Sequence, residues 1–335
     1  MARKSKRVIH WFRRDLRIKD NTALNAACAD AEQIVPVYVI SGWSGSHRWT
    51  GPNRQQFLCG SLASLAKNLE TIDGKLTFRR GVAVDELIKL AKETKVEAIY
   101  FNRDPDNFGR EMEKRISEAC HQFGIEAFGF KDVVLHEPDE VLTQSGGPFR
   151  VYTPYGRVWR MLAKPQVGPK AKKLNTPGGI KSLACPTLKT WKLPQPEATI
   201  LEPGERAARA RLKKSIEGPL PRYGARRNIP AGQTTSRIGQ DLRFGLISIR
   251  EVYAKTLTAS ENAKSATARD SFGKFVGELA WREFYMAILA HWPEVFELEF
   301  NPTWRGLPWR EPNAAFEAWK EGKTGFPIVD AGMRE

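Results

Sequence analysis

Four residues in the stretch FGKFVGELAWREFYMAIL, Glu278, Trp281, Arg282 and Tyr285, stand at i, i+3, i+4 and i+7. On a helix that spacing gathers a carboxylate, an indole, a guanidinium and a phenol onto one surface. Phe272, Phe275, Val276, Leu279, Met286 and Ala290 form a separate apolar stripe, the expected core face of the same helix. A helix buried for packing alone has no need of the charged and aromatic flank, which reads as a binding surface. The bland alternative is a solvated Glu278–Arg282 pair at i,i+4, a contact of about 0.2–0.5 kcal/mol.

A second candidate is TTSRIG, residues 234–239, whose hydroxyls precede a short helical pattern. Free N–H groups and a hydroxyl at a helix start accept phosphate readily, although the same pattern also serves as a plain N-cap. The chain as a whole carries a formal net charge of +15. Its densest basic run, residues 206–250, holds Lys and Arg at 206, 209, 211, 213, 214, 222, 226, 227, 237, 243 and 250 against Glu217 and Asp241 alone. Such a run gains entropy by releasing counterions from phosphates, which favours a nucleic acid partner over a merely solvated face.

Other chemistries lack their residues. Cys28, Cys59, Cys120 and Cys185 are widely spaced without a C-x-x-C pair, so neither zinc nor a disulfide framework is expected, and reduced thiols fit a cytoplasmic protein. The five histidines form no H-E-x-x-H or triad-like pattern, leaving no metal site to propose. No stretch approaches the ~18 apolar residues of a membrane span, and the basic start runs into a strand rather than an apolar leader. Redox chemistry here would need a bound organic cofactor.

The elements that must position these residues follow from periodicity. Apolar runs at 7–12, 34–40, 76–79, 96–101 and 125–130 alternate with helical stretches at 53–70, 83–94 and 107–123, the pattern of a doubly wound parallel α/β sheet. No G-x-G-x-x-G follows the first strand, so that sheet is not expected to bind a dinucleotide in the Rossmann manner. From about 131 to 200 periodicity lapses and prolines at 165, 169, 177, 186, 194 and 196 suggest an interdomain connection. Helical patterns return at 205–217, 237–243, 248–258 and 269–291. The expected organisation is an α/β domain over 1–131, a linker over 132–200 and an all-α domain over 201–335.

ELAWREFY and the downstream run from Trp319 to Arg334, together with the opening VIHWFRRDLRIKDNTAL, resemble the photolyase and cryptochrome family. The resemblance spans nearly the whole chain and implies an antenna-chromophore domain followed by a helical FAD-binding domain. It implies that Tyr223, Thr235, Ser236, Arg237, Ile238 and Gly239 contact the flavin, Gly239 through its backbone only since a serine is common there. Trp281 corresponds to the tryptophan that stacks on the lesion. Glu278 corresponds to the carboxyl that donates a hydrogen bond to the pyrimidine edge beside the flavin, a role that burial in an aromatic pocket would favour by raising its pKa. Arg227 and Arg282 match arginines that contact phosphate or shape the pocket, with Tyr285 on the same DNA-facing flank. Trp309 matches the outermost tryptophan of a chain that photoreduces the flavin, while Trp304 and Trp319 read as packing residues.

The activity so implied is light-driven repair, by a monomer, of cyclobutane pyrimidine dimers in UV-damaged DNA, with the electron supplied by reduced FAD. Glutamate at 278 resembles the cyclobutane-dimer enzymes, since (6-4) enzymes typically carry glutamine there, and Phe275 replaces a tryptophan of some members. Arg54, Asp104, Asp106 and Arg243 resemble the site that holds a deazaflavin or FMN antenna, and the Asn-Glu pair of folate-binding members is missing at Phe108 and Gly109. The chain stops before the family's later flavin-lining aspartates and inner tryptophans, so the resemblance implies a C-terminally truncated helical domain. Two other readings stand beside repair: a cryptochrome-like light sensor, and a DNA-binding remnant without catalysis.

Overall fold

A computed structural model describes residues 5–45, 47, 49–229 and 231–334. Strands β1 (Ser5–Phe12), β2 (Ala31–Ile40), β3 (Thr77–Arg80), β4 (Ala98–Asn102) and β5 (Glu126–Phe130) pair in parallel in the order β3-β2-β1-β4-β5. β1 lies in the middle, in register Ile9↔Val35 with β2 and Ile9↔Ile99 with β4. Its run Val8–Phe12 is buried throughout, as a central parallel strand covered on both faces requires. The connecting helices are α1 (Thr22–Asp30), α2 (Pro52–Glu70), α3 (Ala83–Thr94) and α4 (Asn107–Gln122). Helix α1 was not expected from periodicity; Asn21 starts it by accepting the Leu24 N–H at 3.0 Å.

The segment expected to be a bare linker is held down. Its prolines keep it extended, and its backbone bonds to the sheet region through Ala171 N–H to Ile18 at 2.9 Å and Leu183 N–H to Phe78 at 3.0 Å. Ahead of those prolines lies a helix the sequence reading missed, α5 (Tyr152–Met161), which buries Tyr155 and Trp159. Beyond 200 come α6 (Glu205–Glu217), α7 (Tyr223–Arg226), α8 (Gly239–Phe244), α9 (Ile249–Glu261) and α10 (Ala266–His291), then the short α11 (Ala314–Lys320) and α12 (Pro327–Arg334). Packing gives two compact units, Met1–Pro293 and Glu294–Glu335. The sheet and α5 to α10 pack as one body because the charges of the FRRDLR turn reach across to the helices.

In that turn Arg17 donates to both carboxylate oxygens of Asp132 at 2.8 and 2.7 Å, and Arg250 of α9 donates to Asp20 at 3.0 Å and Asp132 at 2.7 Å. Glu205, at the start of α6, accepts the Ile18 and Lys19 N–H groups at 3.1 Å each. Gly245 ends α8 at φ +65, and a Cβ there would stand 1.9 Å from the Arg14 carbonyl oxygen. Gly245→Ala should therefore cost about 1–3 kcal/mol, from the left-handed backbone and the backbone clash together. An unchanged denaturation midpoint would show that this junction is looser than its distances say.

Candidate active site

Helix α10 is capped by Ser265, whose hydroxyl accepts the Ala268 N–H at 3.1 Å. Phe272, Phe275 and Leu279 are buried as expected, and so are Ala280, Phe284 and Ile288, which widens the core face beyond a single stripe. Glu283 is buried as well, accepting from the Leu135 N–H, the His136 N–H at 3.1 Å and Trp159 Nε1 at 2.6 Å. Periodicity does not reveal it, because a carboxylate in the core is legible only through the donors other elements bring.

The charged flank divides. Glu278 forms an ion pair with Arg227 at the end of α7, not with Arg282, so the i,i+4 pair of the bland reading does not form. Its side chain is 37% exposed, and the dry aromatic enclosure expected around it is not what surrounds it. Arg282 turns the other way and donates to the Val133 carbonyl at 3.0 Å, so its guanidinium serves the backbone rather than an open phosphate-binding face. Trp281 is half-buried and lies in an aromatic stack: Tyr152 of α5 is parallel to it at 3.6 Å and 10°, and the exposed Tyr285 is 5.6 Å away at 24°. Tyr223 is buried, edge-on to Phe275 at 5.7 Å, with the Arg227 guanidinium 5.7 Å above its ring. Burial pushes its phenol above the usual range, and the nearby Glu278 carboxylate adds to that. Tyr223, Arg227, Phe275, Glu278 and Trp281 are thus brought together, with Tyr152 as a member the sequence reading missed. Its only sequence signal was Tyr155 and Trp159 at i,i+4 in VYTPYGRVW.

The TTSRIG loop leads into α8, whose N-cap is Ile238 without a side-chain cap bond. Thr234 turns inward and donates to the Arg226 carbonyl at 2.9 Å, whereas the hydroxyls of Thr235 and Ser236 take no hydrogen bond among the described residues. Arg237 is exposed, at φ +50, while Ile238 is buried and Gly239 exposed. Thr235, Ser236 and Arg237 line a cavity of about 360 Å³ together with Gln233, Arg211 and Lys214. Two unspent hydroxyls beside Lys214 and Arg237 suit a phosphate-bearing group, while Arg211 is held by Asp241 and Glu202 also lines the cavity. The basic run is only partly a surface: Arg209 pairs with Glu205 and Glu251, Arg211 with Asp241, and Arg250 is buried at the junction. Arg206, Lys214, Arg222, Arg226, Arg227 and Arg237 are exposed.

In the sheet region Arg14 bridges two of the expected antenna residues, donating to Asp104 and Asp106 at 2.9 Å each. Burial pushes the Asp104 carboxyl up, whereas Arg14 and the Gly109 N–H hold Asp106 down against burial. Arg243 is pulled down to about 10 by burial and by the charges of Arg14 and Arg54. Burial also lowers Arg54, and its guanidinium lies 6.0 Å from the Phe244 ring. The four expected residues therefore share one electrostatic cluster with Arg14, three guanidiniums against two carboxylates. Trp309 belongs to the second unit, where it is 76% exposed with Nε1 donating to Glu299 at 3.5 Å.

Residues 8–173 match the family model described as DNA photolyase. A deoxyribodipyrimidine photo-lyase of Agrobacterium fabrum is 35% identical over 348 residues, covering 100% of this chain and 70% of the relative. The chain belongs to the DNA photolyase family. Residues 275–335 of this photolyase match the FAD binding domain of DNA photolyase. Among solved structures it is similar to a class III photolyase from Agrobacterium tumefaciens, with a TM-score of 0.89 at 34% identity, covering all of this chain and 69% of that one. A Synechocystis cryptochrome is similar at a TM-score of 0.87 and 25% identity, covering all of this chain and 71% of that one. The fold is the one expected, a five-stranded parallel α/β portion with a helical FAD-binding portion.

Proposed function

We propose that this photolyase repairs cyclobutane pyrimidine dimers in UV-damaged DNA under light, with residues 201–335 as the FAD-binding portion, 1–131 as the antenna portion and 132–200 linking them. The observation that carries the reading is the grouping of Glu278, Trp281, Tyr223 and Arg227 around one face of α10, beside the family membership. Reduced FAD, when bound, would supply the electron that splits the dimer and take it back once the two pyrimidines have separated.

The chain's own residues do the rest. Thr235, Ser236 and Arg237, backed by Arg211 and Lys214, would hold the diphosphate of FAD, and Ile238, Gly239 and Tyr223 are proposed as further flavin contacts. A dimer flipped from the duplex meets Trp281 as its stacking platform, in exchange for the base stacking it gives up. Glu278 leaves Arg227 to meet the pyrimidine edge, and Arg227 is then free for a phosphate. Tyr285 borders the platform, Arg282 fixes α10 against Val133, and Trp309 is the outer donor for photoreduction. A deazaflavin or FMN antenna is proposed at Arg54, Asp104, Asp106 and Arg243, where the surplus guanidinium suits a phosphate tail.

A cytoplasmic monomer is the proposed form. Burial pushes the Cys59 and Cys120 thiols up to about 11, consistent with reduced, inert cysteines, and among the described residues no helix is long and apolar enough to cross a membrane. Illumination of the reduced, flavin-loaded protein with UV-irradiated DNA should remove dimers in a light-dependent manner. Stoichiometric flavin without dimer loss would sink the repair reading and leave the light sensor, which the likeness to the Synechocystis cryptochrome favours second. A colourless protein that retains DNA affinity would instead indicate the binding remnant.

A further inference from the structure

Trp281 does not hold its own orientation. Its indole is stacked on Tyr152 at 3.6 Å and 10°, close to the spacing of layered aromatic rings. Tyr152 in turn is fixed from two sides. Its hydroxyl donates to the Gly277 carbonyl at 3.0 Å, one turn before Trp281 on α10, and its backbone starts α5, which Tyr155 and Trp159 anchor in the core. A Cβ at Gly277 would meet the Tyr152 hydroxyl only at an ordinary 3.6 Å and would crowd the flexible Arg160 Nη2 at 3.1 Å, so the hydroxyl bond and not the missing side chain holds this approach. A tyrosine needed only to fill space could sit edge-on, as Phe284 does against the same indole at 80°.

We propose that Tyr152 is a positioning residue for lesion recognition, a rigid wall that fixes the plane of Trp281, with the exposed Tyr285, stacked at 5.6 Å and 24°, bordering the indole on the side where the pyrimidine enters. The inference rests on the reading of Trp281 as the stacking platform. Stacking on a flat partner requires that the platform be held parallel before the base arrives, and an indole already clamped loses no rotamer freedom on binding. The wall also sets specificity. With one face closed, a dimer stacks on a single side, and an undamaged strand that flips no base gains nothing from the wall.

The test measures affinity of the full chain for an oligonucleotide carrying one thymine dimer and for the same undamaged oligonucleotide, in the wild type, Tyr152→Leu, Tyr152→Phe and Trp281→Ala. Tyr152→Leu should weaken dimer binding about three- to tenfold while undamaged binding stays the same, so the ratio of the two affinities falls. Tyr152→Phe keeps the ring and should hold that ratio within about twofold. Indole fluorescence should shift in Tyr152→Leu and not in Tyr152→Phe. If Trp281→Ala lowers the ratio and Tyr152→Leu does not, the wall is refuted and the platform stands. If Trp281→Ala leaves the ratio unchanged, the platform reading itself fails. Equal losses on both oligonucleotides would mark Tyr152 as structural and overturn the proposal. Should Tyr152→Leu fail to fold, Tyr152→Met, which fills space without a flat ring, decides instead: a fallen ratio supports the wall and an unchanged one overturns it.

Discussion

Replacing Asp132 by alanine should destabilise the protein by about 3–5 kcal/mol, the penalty for stranding buried charges that have lost their partner. Asp132 is fully buried and accepts from Arg17, from Arg250 at 2.7 Å, and from the Thr22 N–H at 3.1 Å and hydroxyl at 2.9 Å. Arg250 would keep Asp20, but Arg17 would be left with backbone carbonyls only, those of Lys19, Asp20 and Gly245. Burial alone would push the Asp132 carboxyl up; the Arg17 and Arg250 guanidiniums outweigh it and hold it at about 2. A carboxylate depressed in the folded state contributes stability that is present above its ordinary value near 4 and is lost as pH falls through about 2. Denaturant midpoints of wild type and Asp132→Asn should therefore converge between about pH 4 and 2, while at pH 7 Asp132→Ala lies far below both. Equal midpoints at pH 7 would mean that the FRRDLR turn does not hold the helices to the sheet.

That turn shows what a sequence can and cannot disclose. The five strands were legible because apolar runs are a local signal, even in β5, which is not fully buried, and α2, α3, α4, α6, α8, α9 and α10 because helical patterns are. Helix α1 escaped since TALNAACAD is short, and α5 because the prolines downstream made its whole segment look unstructured. Local pattern also placed Glu278 and Trp281 on one surface. It could not say that Glu278 would choose Arg227, fifty-one residues away in the chain, over Arg282 one turn along, nor that Tyr152 would cover the indole. Arg14 and Glu283 were invisible for the same reason: a charged residue in sequence carries no mark of the partner that folding brings to it. The ion network of Arg17, Asp20, Asp132 and Arg250 was equally hidden, because its members lie up to 233 residues apart by their numbers.

The Arg227–Glu278 pair makes the sharpest functional prediction, because the two partners should fail differently when removed. The pair is over a third exposed on both sides, so it contributes only about 0–1 kcal/mol to stability, and neither Glu278→Ala nor Arg227→Ala should unfold the protein. Once it has left Arg227 and taken up a proton, the Glu278 carboxyl can donate to the dimer carbonyl, and that bond strengthens as charge develops there, so its loss raises the barrier to splitting more than it weakens binding. A bond to a charged acceptor is worth about 1.5–3 kcal/mol, and 1.4 kcal/mol is tenfold in rate. Glu278→Ala should thus lower the dimers split per absorbed photon by about tenfold, with flavin content and dimer affinity changing less than about threefold. Arg227→Ala should instead weaken binding to DNA and reduce the slope of log affinity against log salt by about 0.9, as loss of one phosphate contact does, while repair per bound lesion is retained. If both substitutions weaken binding alike and leave the yield per bound lesion unchanged, the two residues are a surface ion pair and nothing more. If Glu278→Ala empties the flavin site, the carboxylate belongs to the cofactor's support, and the active face of α10 lies elsewhere.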